Sequence, residues 1–384
     1  MTAPATTTTG VAGRAGATAR GTGGGPDGPR APRLLLLTRD DPQLGTGGVE
    51  TFCRQLMRVF PGSELLACAG AAGRRWICDE ARDARAILPR LQERIAAARP
   101  AAVIANGAAA WAIDPALAQR LDVPIVTVYH GTYAGFGRAI APVARSRGLI
   151  ARTYGAFLER RAGRGRAAVV AVSAPVAAEA ELFYGAQPRI LENCAALDPA
   201  TLPSRAEARH RLRIAPEAHA LLFVGRPQRT KGFDWVTRLA RGRPDLLLLA
   251  AGAEPRAEWP KNLHALGVLA PARLADAYAA ADLVIHPSRY EGCPFALLDA
   301  IAADRPIVTT ATGCFPTPGV HAFGIVFGEA DPLAFAGCVE AALERIDRFA
   351  PRAAAGRRFS PTRFAREWRA LVDEVVAAKE GSRG

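Results

Sequence analysis

"DLVIHPSRYEGCPFALLDAIAADRPIVTT", residues 282–310, runs from an apolar strand through a short polar loop into a helix and on to a second apolar strand. A strand, a crossover helix and a strand make a βαβ unit, whose two strands lie parallel in one sheet. Glu291 and Asp299 stand eight residues apart around the helix start, with Pro294 between them. Proline suits a first helical turn because its missing N–H costs nothing there. The helix is therefore predicted to begin at Pro294, leaving the free N–H groups of Phe295 and its neighbours at the strand end. Such a tip attracts phosphate through its donors and the positive end of the helix dipole. A carboxylate beside a bound phosphate would repel it. The pair fits better as acceptors for hydroxyl donors on either side of such an anion. Taken alone, such a pair is most often a loop glutamate and a solvated helix aspartate, and only its context overturns that reading.

The same alternation extends in both directions. From Arg33 onward the apolar runs LLLLT, ELLACA, AAVIAN, PIVTVYH and AAVVAVS alternate with segments of helical spacing, and a second series follows: ALLFVG, DLLLLAAG, LHALG, DLVIHPS, PIVTT and GIVFG. Two Rossmann-like, doubly wound α/β domains in tandem are the economical reading. Between them, residues 194–218 carry three prolines and read as the interdomain linker. The expected boundaries are a disordered tail over 1–32, a first domain over 33–198, a second over 199–360 and a C-terminal helix over 361–384. That helix places Phe364, Trp368, Leu371, Val372 and Val375 on one face, which must pack on something. The first domain is the expected partner.

Composition narrows the function classes. Hydrophobic residues make up 49% of the 384 residues and charged residues 22%, which excludes global disorder. Apolar runs such as residues 246–252 fall far short of the roughly 20 residues that a membrane span needs. The formal charge is +13, yet only three of the 49 basic residues are lysines, a bias that suggests a GC-rich bacterial coding sequence. Basic residues are not interleaved with aromatics in the manner of a base-stacking surface, so no nucleic acid partner is expected. The seven cysteines contain no Cys-x-x-Cys pair and read as reduced, buried thiols of a cytoplasmic protein. Residues 1–32 lack the apolar core of a secretory signal; a Thr-rich, acid-poor transit peptide is the alternative to a disordered tail.

Ligands of open parallel sheets bind at the carboxyl ends of strands. There, "FVGRPQRTKGFD", residues 223–234, carries Arg226 and Lys231 in a turn that also holds Gly225 and Gly232. A guanidinium fork and a compact ammonium together could neutralise a diphosphate. Lys231 stands out because this chain uses arginine for almost every other cation. Solvated loop charges are the plainer alternative.

The order GGVET (47–51), YHG (129–131), VGRPQRTKG (224–232) and SRYEGCPFALLDAIAADRPIV (288–308) resembles the retaining glycosyltransferases of family 4, which have the GT-B fold of two Rossmann-like domains facing across a cleft. The resemblance spans residues 33 to about 375. It implies that Arg226 and Lys231, with Gly225, bind the donor diphosphate, that Glu291 contacts the donor sugar, and that Asp299 holds the nucleotide ribose. It further implies that His130 contacts the transferred sugar, that Cys293, Pro294 and Phe295 form the donor-side helix start, and that Val268 faces the base. Gly47, Asn106 and His130 fall on the acceptor side, and Gly48 lies beside the donor. The chain departs from the family at three places: Asp299 replaces a glutamate, Asn193-Cys194 replaces Asn-Gly, and Gly313-Cys314 replaces a glycine pair.

The implied reaction moves a sugar from a nucleoside diphosphate to an acceptor hydroxyl with retention, the leaving phosphate taking the acceptor's proton. His130, Glu291, Arg226 and Lys231 would carry it. No Asp-x-Asp motif occurs, so neither a metal nor any other cofactor is expected. A nucleotide-sugar binding paralogue without activity is the alternative. No Gly-x-Gly-x-x-Gly run follows an apolar strand, which argues against a dehydrogenase. Residues 137–166 carry eight arginines and read either as a solvated connecting helix or as a peripheral contact with an anionic membrane bearing a lipid-linked acceptor. Base, sugar and acceptor are not encoded legibly; glycan, lipid-linked and small natural-product acceptors all fit.

Overall fold

The computed structural model describes residues 32–40, 47–69, 77–142, 144–328 and 331–382. The expected tail over 1–32 lies, apart from Pro32, outside them. β1 (Leu34–Asp40), β2 (Glu64–Ala69), β3 (Ala102–Asn106), β4 (Ile125–Tyr129), β5 (Ala168–Ala171) and β6 (Arg189–Ile190) form one sheet in the order β2-β1-β3-β4-β5-β6. Every pairing in it is parallel, with registers such as Leu36 to Ile104 and Ile104 to Val126. β3 and β4 are buried along their whole length, as sheet strands covered on both faces must be.

The second sheet holds β7 (His219–Val224), β8 (Leu246–Ala251), β9 (Leu263–Gly267), β10 (Leu283–His286), β11 (Ile307–Thr310), β12 (Gly319–His321) and β13 (Gly324–Phe327), in the order β12-β13-β11-β10-β7-β8-β9. Only β12 runs antiparallel, on β13. The two doubly wound sheets expected from the apolar runs are both present. β6 and β12 are the additions: both are very short, and both residues of β6 are exposed, so no apolar signal marks it.

Both sheets belong to one compact unit. The helix Pro361–Gly381 is capped by Ser360, whose hydroxyl accepts from Arg363 N, and it buries the five predicted residues. The Phe364 and Trp368 rings meet the edge of Phe52 at 5.9 and 5.4 Å, which docks this helix on the helix Gly48–Val59 of the N-terminal half. The segment read as a linker is more ordered than its prolines suggest. Ser204 and Glu207 form a reciprocal capping box that starts the helix Arg205–Leu212. Arg209 of that helix, 3% exposed, pairs with Asp282 at 2.8 Å and so ties the linker to the start of β10.

Candidate active site

Strand order reverses between β1 and β3 in the first sheet and between β7 and β10 in the second. Crevices for ligands open at such reversals, outside the carboxyl ends of the strands. The sequence-predicted residues gather there. Gly47 and Gly48 follow β1, Asn106 ends β3 and His130 follows β4, while Gly225, Arg226 and Lys231 follow β7, and Glu291 to Phe295 follow β10.

Glycine is required where the β7 turn meets β10. Gly232 has φ +69°, and a Cβ added to it would fall 1.9 Å from the Pro287 carbonyl oxygen. This close approach brings Lys231 Nζ within 2.6 Å of Glu291 Oε1, and His286 Nε2 lies 2.8 Å from the same oxygen. Burial by itself would raise the Glu291 pKa. The Lys231 charge and the His286 hydrogen bond outweigh it and hold the carboxyl well below the usual range. The sequence assigned Lys231 and Glu291 to different parts of a donor; the fold pairs them directly. Arg226 is exposed, and its side chain has no hydrogen-bond or ion-pair partner among the described residues.

The helix after β10 spans Phe295–Ala302, one residue later than predicted, because Pro294 keeps an extended ψ of 117° and serves as N-cap. Cys293 and Pro294 are buried and Phe295 is half-buried. Gly48 is the first residue of the helix Gly48–Val59, with Gly47 as its N-cap. A Cβ added to Gly48 would lie 3.8 Å from Phe295 Cδ2, so the two helix starts face each other across the halves.

His130 Nε2 lies 3.0 Å from Asn106 Oδ1, and Asn106 Nδ2 donates to the Leu37 carbonyl at 2.9 Å. With its amide group thus oriented, Asn106 accepts at Oδ1, which puts the imidazole proton on Nε2 and a lone pair on Nδ1. Burial lowers the His130 pKa to about 4, so the ring is neutral at neutral pH. Phe52 meets the ring edge-on at 4.7 Å. The Glu291 loop lies directly over this histidine, since a Cβ added to Gly292 would fall 2.0 Å from His130 O and 2.9 Å from Val172 Cγ2.

Three residues missed in the sequence hold the halves together. Thr132 N donates to Tyr290 Oη at 2.6 Å, Tyr290 Oη donates to Glu179 Oε2 at 2.7 Å, and Thr132 Oγ1 donates to the same Glu179 oxygen at 2.5 Å. Adjacency to Glu291 and His130 is the only sequence signal for Tyr290 and Thr132. Glu179 has none. His286, also missed, simply ends a strand.

Asp299 is 6% exposed, and its Oδ1 accepts from Ala196 N at 2.7 Å and Leu197 N at 2.8 Å. Burial raises its pKa to about 6 against the opposing pull of those two bonds. The residue expected to hold a ribose therefore first fastens the linker backbone. At the other departures, Asn193 Nδ2 donates to Cys293 O at 2.9 Å, and Gly313, at φ +56°, leaves no room for a side chain beside Gly292 O. Val268, after β9, is 63% exposed. Of the cysteines, Cys53, Cys194, Cys293 and Cys314 are buried free thiols, whereas Cys68 and Cys338 are partly exposed.

Comparison with known proteins places this architecture. The family described as "Glycosyltransferase Family 4" matches residues 49–198, and "Glycosyl transferases group 1" matches residues 218–345. A D-inositol 3-phosphate glycosyltransferase of Xylanimonas cellulosilytica is 30% identical over 71% of this chain and 68% of its own length. The chain belongs to the family 4 glycosyltransferases. A D-inositol 3-phosphate glycosyltransferase of Geodermatophilus obscurus is 31% identical over 55% of this chain, which spans about half (51%) of that relative. Among solved structures, sucrose-phosphate synthase of Thermosynechococcus elongatus superposes with a TM-score of 0.74 at 18% identity, covering 90% of this chain and 100% of that one. Anabaena HepE in complex with UDP and glucose gives 0.65 at 15% identity, over 89% and 99%. These neighbours share the GT-B fold of two Rossmann-like domains.

Proposed function

We propose that this glycosyltransferase moves a sugar, with retention, from a nucleoside diphosphate sugar to an acceptor hydroxyl. The observation that carries the reading is the cluster at the β7–β10 reversal. There, Lys231 lies 2.6 Å from Glu291, and Gly292 of the same loop is pressed on His130. A diphosphate entering the cleft would draw Lys231 from its carboxylate partner, meet Arg226, and face the N–H groups at the Phe295 helix start. These three would stabilise charge growing on the leaving phosphate. Glu291, ionised and oriented by His286, would accept from donor sugar hydroxyls. His130 would present its neutral ring to the transferred sugar. Asp299 Oδ2 would be the oxygen left to the ribose.

The leaving phosphate would take the acceptor's proton on the same face, which keeps the anomeric configuration. On this reading no metal or other cofactor is required, because the cations and the helix start do the neutralising. A solved HepE complex with UDP-glucose supports a nucleotide-sugar donor. Peripheral contact with an anionic membrane belongs to the same reading.

A thermal-shift screen of uridine, guanosine and deoxythymidine diphosphate sugars, followed by transfer assays with EDTA present and NMR of the product's anomeric centre, tests it. Stabilisation by one donor and an anomer of unchanged configuration are expected. Inversion, or a strict Mg²⁺ requirement, would contradict the mechanism.

A further inference from the structure

We infer that the helical run over 145–162 is a docking face for an anionic lipid bilayer. This deepens the membrane contact named above and does not depend on the transfer chemistry. The sequence read residues 137–166 as one helix. The fold instead ends a first helix, Tyr133–Ile140, and begins a second run made of Arg145–Ile150, a π-helical turn over Ala151–Gly155, and Ala156–Ala162. Gly148, Ala151, Gly155, Leu158, Glu159 and Ala162 are buried on one side of that run. Gly148 and Gly155 let it lie close on the first helix, since an added Cβ would fall 2.8 Å from Gly137 O and from Tyr133 Cδ1 respectively.

The opposite side is unusual for a solvated helix. Leu149 is 59% and Phe157 60% exposed, eight residues apart, and Thr153 stands midway between them. The Thr153 hydroxyl is spent on the Leu149 carbonyl at 2.9 Å, so it does not interrupt the apolar stripe with a free donor. At helical spacing Arg145, Arg152 and Arg160 flank this stripe, and all three are exposed. The one acid between residues 137 and 166, Glu159, is 2% exposed and turned to the interior, where it accepts from Tyr133 N at 2.7 Å. Arg166 also leaves the surface, donating to the Thr127 hydroxyl and the Ala162 carbonyl. What remains outside is apolar tissue ringed by cations with no acid of its own, the complement of a negatively charged lipid surface. A stripe with the aliphatic Leu149 at one end and a single ring, Phe157, at the other suits acyl chains better than the stacking of bases. The first helix begins at Tyr133, three residues after His130, so docking here would set the cleft mouth near the bilayer.

Co-sedimentation of the full chain with vesicles of phosphatidylcholine alone, or of phosphatidylcholine with phosphatidylglycerol, is the test. Binding is expected only to the anionic vesicles and should weaken with added salt. Replacing Arg145, Arg152 and Arg160 by glutamine should lower it on the order of a hundredfold. Leu149→Glu with Phe157→Glu should abolish it while circular dichroism and the thermal midpoint stay those of the wild type, these residues being exposed. The inference is overturned if the wild type stays in solution, if the Leu149/Phe157 variant sediments like the wild type, or if single-stranded RNA binds through the same residues in place of vesicles. Since none of these readouts uses a donor, a chain that docks without transferring sugar would sink the proposed reaction and leave the docking face standing.

Discussion

Tyr290 Oη receives the Thr132 amide hydrogen at 2.6 Å, across the boundary between the two halves, and gives its own proton to Glu179. Because Tyr290 immediately precedes Glu291, this bond fixes the carboxylate's loop against the N-terminal half. Tyr290→Phe keeps the ring but leaves a partly buried amide and a carboxylate short of a partner. A loss of about 2 kcal/mol in urea unfolding is expected, with sugar transfer falling roughly tenfold. Wild-type stability and turnover in this variant would remove the latch from the account.

The pairing of Lys231 with Glu291 predicts an acid-sensitive site. Glu291 has a lowered pKa in the fold, so its contribution to stability is present above the unfolded carboxyl value of about 4.3 and drains away as pH falls below it. Lys231→Met strands a buried carboxylate and should cost about 1–3 kcal/mol at neutral pH, less than for a fully buried pair because Lys231 is 26% exposed. A double-mutant cycle with Glu291→Gln measures the coupling; a coupling near zero refutes the pair's role.

Gly292→Ala tests the contact with His130. The added methyl would need 2.0 Å from His130 O, which no side chain tolerates, so the loop must retreat. Donor-stimulated activity should fall at least tenfold, on the order of 1.4 kcal/mol or more in the barrier. Small-angle scattering should report a slightly larger particle. An active variant of unchanged dimensions would mean that the halves need not approach this closely.

Asp299 gives a signed pH effect. Its pKa is raised from 3.8 to about 6, so between those values the folded chain binds more protons than the unfolded one and stability declines as pH rises. Asp299→Asn keeps an oxygen for Ala196 and Leu197 but carries no charge. It should flatten that slope and be more stable than the wild type at pH 7 by up to about 3 kcal/mol. Thermal midpoints measured from pH 4 to 7 decide it: parallel curves for the two proteins would show that Asp299 does not titrate there.

Much of this is legible in the sequence. Period and punctuation alone mark the strands of both sheets, except β6 and β12, which are too short or too exposed to carry an apolar signal. The C-terminal helix face is legible for the same reason. The glycine turn with Lys231, the strand-end His130 and the Glu291 loop are legible as chemistry because each sits where a parallel sheet leaves its crevice.

Sequence by itself therefore determined the elements, their parallel pairing and the strand ends that hold polar groups, since these follow from local propensity and burial. Tertiary structure alone decided the partners. Lys231 meets Glu291 sixty residues on, Asp299 is drawn to the linker about a hundred residues back, and Tyr290 reaches Thr132 across the molecule. Such contacts depend on strand order and on how the halves close, and no local spacing in the chain encodes either.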